Sequence, residues 1–189
     1  MAFNQQEKTE YACLWQRMKE GDQDAMGTLF KKVNKRMYNY GYKIVDEPAL
    51  VRDAIQEVFV TIWRKKENLA DVTSVPAYLF VALKRKLYRM KQKQQRKYQK
   101  EDSLREHNKF RISADELSIK DAVNEQDKER LAAAINNLPA QKREVIYLFF
   151  YNGMDYDEIS EIMDLHIRTV RNYMSIALKR VRQSVKINS

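Results

Sequence analysis

The chain has 189 residues, 44% of them hydrophobic, and its 35 Lys and Arg against 26 Asp and Glu leave a net charge of +9. That length suits one medium domain or two small ones, and the positive balance points to a polyanion as partner, either nucleic acid or an anionic membrane surface. No run of about 18 apolar residues occurs. The N-terminal MAFNQQEKTEYACLW has neither the basic start nor the apolar centre of a signal peptide, so a cytoplasmic protein without membrane contact is expected.

With one cysteine, Cys13, an internal disulfide is excluded, and the two histidines, His107 and His166, are too few beside it to make a zinc set. Four glycines cannot supply a glycine-rich phosphate loop, and alternating β-branched runs are absent. The expectation is an all-α protein with no metal, no cofactor and no catalytic residues of its own.

From about Glu10 to Lys100 the chain reads as helices interrupted at GDQD (21–24), DEP (46–48) and ADVTSVP (70–76). Asp46 and Ser74 are the expected N-caps of helices whose first turns take Pro48 and Pro76. In the first of these helices Val51, Ile55, Val58, Phe59 and Ile62 share one stripe, and Asp53, Gln56, Glu57, Val60 and Arg64 fall opposite it. An acidic, polar face on an otherwise basic protein suits a protein partner better than DNA.

The following helix is the most basic part of the chain: the positions from Lys84 to Lys100 hold nine Lys or Arg and no acid. Leu79, Leu83, Leu87 and Met90 occupy one narrow arc, which anchors the helix, with Phe80 at its border. Tyr88 lies half a turn away between Lys84 and Lys91, so it is expected to be exposed amid positive charge. Unpaired bases stack on such a ring while the backbone follows the cations, whereas a duplex needs no ring there.

From Glu101 to about Lys128 the composition turns polar and acidic, with sparse apolar residues, which reads as a mobile linker. Beyond Glu129, breaks at Asn137–Pro139, Asn152–Gly153 and Asp164–His166 divide a strongly periodic stretch into four helices. Asp155 and Glu158 form a capping-box pattern at the start of DYDEISEIM, with Ile159, Ile162 and Met163 on one face. A short turn leads to a helix from Ile167 to about Gln183 that turns Val170, Met174, Ala177, Leu178 and Val181 inward. Arg168, Arg171, Asn172, Ser175 and Lys179 share its outer side. This is the layout of a helix-turn-helix whose second helix enters the major groove, with Arg171 suited to guanine and Asn172 to adenine.

In combination these segments resemble a known family, the extracytoplasmic-function type of bacterial RNA polymerase sigma factor. DAIQEVFVTIW (53–63) is similar to the family's polymerase-clamp helix. VPAYLFVALKRKLYRMKQKQQRK (75–97) is similar to its promoter-melting and minus-ten helices, and the span 138–182 to its minus-thirty-five domain. The resemblance implies two small helical domains joined by a flexible linker: a region 2 domain over 1–100, a linker over 101–128 that threads the polymerase RNA exit path, and a region 4 domain over 129–189.

It further implies that Asp53, Gln56, Glu57, Val60 and Trp63 dock on core RNA polymerase, whose largest and second-largest subunits are the expected partners. Phe80, Lys84, Arg85, Tyr88, Arg89 and Lys91 would face the single-stranded minus-ten promoter DNA, with the loop around Asn68 to Ser74 helping to hold a flipped base. Arg143, Arg168, Thr169, Arg171, Asn172, Ser175 and Lys179 would meet the minus-thirty-five duplex. An anti-sigma factor, or a DNA-bound recruiting protein, is a further partner type within that family.

The chain departs from the family pattern at four places. Arg85 and Arg89 stand where Asn and Asp are usual, which replaces base-specific groups by charge. Asp164 and His166 stand where the turn usually has Gly and a capping Ser. Two other readings compete with the sigma factor: a stand-alone helix-turn-helix regulator that dimerises through its N-terminal domain, and a nuclease. The separate acidic face on 53–57 disfavours the first. The second needs carboxylates held in a folded frame, which the polar linker does not provide.

Overall fold

A computed structural model describes residues 5–98, 110–113 and 125–186, and among these the chain forms helices and no strands. Helix α1 (Gln5–Lys19) buries Tyr11, Leu14, Trp15 and Met18, the spacing of one helical stripe. A turn at Gly21, whose φ of 96° favours glycine, leads to Asp22, whose carboxylate accepts from the Ala25 N–H at 3.0 Å and caps α2 (Gln23–Val45).

Ala25, Leu29, Val33, Met37 and Tyr40 carry the buried stripe of α2. Gly41 sits where α2 passes closest to its neighbours: a Cβ there would lie 2.9 Å from Val51 Cγ1 and 3.3 Å from Leu87 Cδ1. A side chain at this position would push three helices apart.

Asp46 does not cap the next helix. It closes α2 instead, in the left-handed region (φ 52°), with its N–H bonded to Tyr42 O at 2.8 Å. Asp adopts this conformation more readily than most side chains, and the loop is too short to serve both ends separately. Helix α3 (Pro48–Arg64) therefore starts from Glu47 with no side-chain cap bond, and relies on Pro48 in its first turn. After one turn of 3-10 helix (Lys66–Asn68), Ser74 Oγ accepts from the Ala77 N–H at 3.2 Å and starts α4 (Val75–Tyr98) as expected.

The C-terminal domain comprises α5 (Glu125–Asn136), α6 (Ala140–Ile146), α7 (Tyr156–Met163) and α8 (Ile167–Lys186), and α5, α6 and α7 all pack on α8. Helix α6 runs into a π-helical turn over Tyr147–Tyr151, which buries Tyr147 and Leu148 and leaves Phe150 exposed. Helix α5 begins a few residues before the expected edge of the linker.

Expectations of mobility for 101–109 and 114–124 lie outside the described residues. The island Phe110–Ser113 is described, and it is packed between the two domains: Phe110 and Ile112 are 6% and 1% exposed. Helix α7 lies directly against α4, so the two domains close on each other rather than standing apart.

Candidate nucleic-acid and polymerase interface

The stripe of α3 (Val51, Ile55, Val58, Phe59, Ile62) is buried, which forces the opposite face outward. Asp53, Gln56, Glu57 and Val60 are exposed there, and Trp63 is half-buried with Lys66 Nζ 4.9 Å from its ring. Glu57 pairs with Lys86 of α4, which ties the acidic face to the basic helix. An exposed valine one turn from the Glu57 carboxylate, with the Trp63 indole on its other side, is a mixed apolar and acidic surface of the kind that docks on a basic protein partner.

On α4, Leu79, Leu83 and Leu87 are fully buried, and each contributes about 1.5–3 kcal/mol relative to an exposed position. That anchoring sets the rotation of the helix and turns Arg85, Tyr88 and Arg89 outward, with Tyr88 43% exposed. Arg89 Nε donates to the backbone carbonyl of Arg85 at 3.2 Å, which lays the Arg89 side chain back along the preceding turn.

Phe80 departs from expectation. It is 1% exposed, inside the core, with its ring 5.1 Å from that of Tyr40. Positions 80, 83 and 87 share one helical face, so the residue at the border of the stripe is drawn in with it. Phe80 supports the basic helix and offers no surface for stacking a base in this arrangement.

Lys84 is not free in solvent either: its Nζ lies 2.7 Å from Glu144 Oε1, and both side chains are mostly buried. The same carboxylate oxygen accepts from Tyr40 Oη at 2.7 Å. Burial, and then the Glu144 charge, push the Tyr40 hydroxyl well above its ordinary value, so it remains a neutral donor. Beside this pair opens a cleft of about 410 Å³. Lys43, Lys84, Arg85, Tyr88 and Lys91 line it from one side, and Glu144, Glu161 and Asp164 from the other.

The helix-turn-helix forms as its sequence indicates. Asp155 Oδ1 accepts from the Glu158 N–H at 2.9 Å while Glu158 Oε2 accepts from the Asp155 N–H at 2.8 Å, a complete capping box. Asp164 takes the left-handed conformation (φ 54°) that glycine would adopt more easily. His166 Nδ1 accepts from the Arg168 N–H at 3.2 Å and so performs the capping work of a serine. Both departures thus supply the conformation and the cap that the turn needs.

Arg168, Arg171, Asn172, Ser175 and Lys179 of α8 are exposed together, with Thr169 half-buried beside them and the Arg171 guanidinium 5.8 Å from the Tyr156 ring. Arg143 departs from this set. It is 3% exposed, and its guanidinium donates to Phe110 O at 2.6 Å, to Asn136 O at 2.7 Å and to Leu138 O. Burial, and then the nearby Arg111, draw it below the ordinary guanidinium value. It is a structural cation that satisfies three carbonyls where α5 ends, and does not face DNA.

Sequence reading did not find Lys43, Phe110, Ile112, Asn136 and Glu144, the residues that join the domains. Phe110 and Ile112, alternating with Lys109, Arg111 and Ser113, were the available signal.

A helical domain with an acidic docking face and a basic helix bearing an exposed ring, followed by a helix-turn-helix, defines a two-domain transcription initiation factor. The sigma-70 region 2 model matches residues 29–97 and the sigma-70 region 4 model residues 128–181. The chain belongs to the sigma-70 family, as a sigma factor of the extracytoplasmic-function type.

It is similar to the extracytoplasmic-function sigma factor SigK of Mycolicibacterium vanbaalenii, with 21% identity over 183 residues covering 94% of this chain and 90% of the relative. SigK of Mycobacterium ulcerans is likewise 21% identical, over 170 residues that cover 89% and 90% of the two chains. Among solved structures, CnrH in complex with the cytosolic domain of CnrY shares the fold with a TM-score of 0.61 and 19% identity, over 95% of this chain and 99% of that one. The sigma factor RpoE in complex with the anti-sigma factor NepR from Bartonella quintana gives 0.57 and 22%, over 86% and 98%. Among the described residues no helix is long and apolar enough to cross a membrane, and no group of His, Cys, Asp and Glu is placed to hold a metal ion.

Proposed function

We propose that this chain is a dissociable initiation subunit: it docks on core RNA polymerase, recognises promoter DNA and stabilises the opened strand, while the polymerase performs the chemistry. Asp53, Gln56, Glu57, Val60 and Trp63 form the docking face for the largest subunit. Arg85, Tyr88, Arg89 and Lys91, with Lys84 once it leaves Glu144, receive the non-template strand at minus ten. Arg168, Thr169, Arg171, Asn172, Ser175 and Lys179 meet the minus-thirty-five duplex, where Arg and Asn can each bond one base edge in two places. The connection between α4 and α5 is the part of the chain expected to pass along the polymerase. The protein works where the polymerase is, in the cytoplasm.

The observation that carries this reading is the separation of tasks on neighbouring helices. Tyr88 is 43% exposed among Arg85, Arg89 and Lys91 on α4, while the acidic face stands on α3. A duplex-binding regulator needs no exposed ring there, and an acidic surface on α3 has no use against DNA.

Arg85 and Arg89 add charge where the family usually places base-specific groups, and they favour an opened strand with loose sequence demand at minus ten. Position is then supplied by the minus-thirty-five contacts or by a recruiting protein already on the DNA. Co-purification with core polymerase, followed by promoter-dependent run-off transcription, tests the assignment. Failure to bind core polymerase overturns it.

A further inference from the structure

The short segment Phe110–Ile112 sits between the two domains like a bound peptide. Its residues alternate in and out: Phe110 and Ile112 are buried and Arg111 is exposed. Three consecutive carbonyls are each met by a side chain. Arg143 Nε donates to Phe110 O at 2.6 Å, Lys43 Nζ to Arg111 O at 2.6 Å, and Asn136 Nδ2 to Ile112 O at 2.8 Å. Asn136 also accepts from the Ile112 N–H at 2.9 Å, so one amide side chain reads both backbone groups of that residue.

The donors come from both sides, Lys43 from the N-terminal domain and Asn136 and Arg143 from the C-terminal one. The Phe110 ring completes the joint, 6.3 Å from Tyr40 in one domain and 5.3 Å from Tyr147 in the other. This is side-chain and backbone recognition of an extended segment, the manner in which grooves hold peptides.

Closure has a consequence for α4. Where the segment is docked, α7 lies against α4 and Glu144 reaches Lys84 and Tyr40. The Lys84 side chain is then only 15% exposed and bound to a carboxylate. Glu161 and Asp164 line the same cleft as Arg85, Tyr88 and Lys91, so carboxylates share the space beside the ring and its cations.

We propose that Phe110–Ile112 is an intramolecular clasp: docked in the groove made by Lys43, Asn136 and Arg143, it holds the minus-ten helix against the C-terminal domain, and strand binding requires its withdrawal. This rests on the strand-binding reading of α4. The clasp lies in the connection between the domains, so clasped closure and separated docking of the domains on polymerase exclude one another. Any partner that captures the segment opens the protein. A protein mostly in the clasped form binds strand with an affinity reduced by its open fraction.

The test compares the full chain with the Phe110→Ala/Ile112→Ala double variant and with Glu144→Gln, which keeps size and shape. Small-angle scattering, and the distance between labels on the native exposed Cys13 and on Ser184→Cys, report closure. Fluorescence anisotropy with a labelled single-stranded minus-ten oligonucleotide reports binding. The expected result is an expanded double variant with unchanged helical content that binds the oligonucleotide about tenfold or more tightly, and a gain of about threefold for Glu144→Gln.

A double variant that is as compact as the parent overturns the clasp. Expansion with unchanged affinity overturns the masking of α4. If the double variant loses helical content, Glu144→Gln decides alone, and unchanged affinity there overturns the proposal. If parent and variants alike fail to bind the oligonucleotide while the variants expand, the strand reading of α4 is overturned and the clasp stands.

Discussion

Lys84 and Glu144, sixty positions apart and in different domains, meet at 2.7 Å in a site where each side chain is about one-seventh exposed. The pair is completed by Tyr40 Oη on the same carboxylate oxygen. A buried ion pair of this kind is weak evidence of net stabilisation, but removing one partner strands the other without solvent.

Glu144→Ala leaves a fully buried hydroxyl and a mostly buried ammonium without their acceptor. It is expected to lower the stability of the closed protein by about 1–3 kcal/mol in chemical denaturation. The same variant with Tyr40→Phe added should lose little more, because the two changes remove one interaction. Additive losses would show that the carboxylate is not shared.

Arg143 satisfies three backbone carbonyls from inside the protein. Arg143→Ala is expected to cost about 2–4 kcal/mol, since three acceptors near the end of α5 lose a charged donor at once. Binding of the folded variant to a minus-thirty-five duplex should keep the same slope of affinity against salt concentration. Arg168→Ala should reduce that slope by about one unit without loss of stability. A reduced slope for Arg143→Ala would return it to the DNA interface.

Gln56→Lys with Glu57→Lys places two cations on the exposed face of α3. Core polymerase binding is expected to fall at least about tenfold, because like charges facing a basic partner cost far more than a surface pair contributes. Thermal unfolding should shift by only a few degrees, since within the protein the change breaks a surface ion pair, that of Glu57 with Lys86. Unchanged binding in a pull-down would remove this face from the assignment.

Asp155 has two tasks, capping α7 and pairing with Lys8 of α1 at 2.7 Å. Burial acts to raise its carboxyl, but the Glu158 N–H and Lys8 outweigh it and hold the group below its ordinary value of 3.8. Burial acts to lower Lys8, and the bonds to Asp155 and Glu158 outweigh that and raise it. A carboxyl lowered on folding binds fewer protons in the native state, so its contribution is fully present above the ordinary value and is lost as pH falls through the depressed one. The stability difference between the parent and Asp155→Asn is therefore expected to be constant from about pH 5 to 8 and to shrink only below about pH 4. A difference that changes near neutral pH would contradict this linkage.

Periodicity alone located α3, α4, α7 and α8, because each has an apolar stripe strong enough to fix its rotation. The same stripes turned out the faces that carry Glu57, Tyr88 and Arg171. Local chemistry was legible where partners are near in sequence, as in the Asp155 and Glu158 capping box and the Ser74 cap.

What failed depended on distance or on competition. Asp46 could cap either of two helix ends, and the backbone used it for the first. Phe80 lay at the edge of a stripe, and the aromatic pocket beside Tyr40 drew it inside. Arg143 read as surface charge because the carbonyls it satisfies, at Phe110, Asn136 and Leu138, come together only on folding. Phe110 and Ile112 alternate over too few residues to mark an element, and their partners lie far away in sequence, on α2, α5, α6 and the π-helical turn that follows it.

In the proposed function this chain loads core polymerase onto promoter DNA and uses Tyr88 and the cations around it to hold the opened strand. Run-off transcription with reconstituted core polymerase is the most direct measurement, comparing the parent with Tyr88→Ala on templates that are duplex or pre-opened at minus ten. The expected outcome is a start-specific transcript from the parent, a loss of about tenfold or more for Tyr88→Ala on duplex template with core binding unchanged, and substantial recovery on the pre-opened template. Single-base changes at minus ten should have shallow effects, given the charge that Arg85 and Arg89 supply. A Tyr88→Ala protein that transcribes the duplex template as well as the parent would contradict this use of Tyr88.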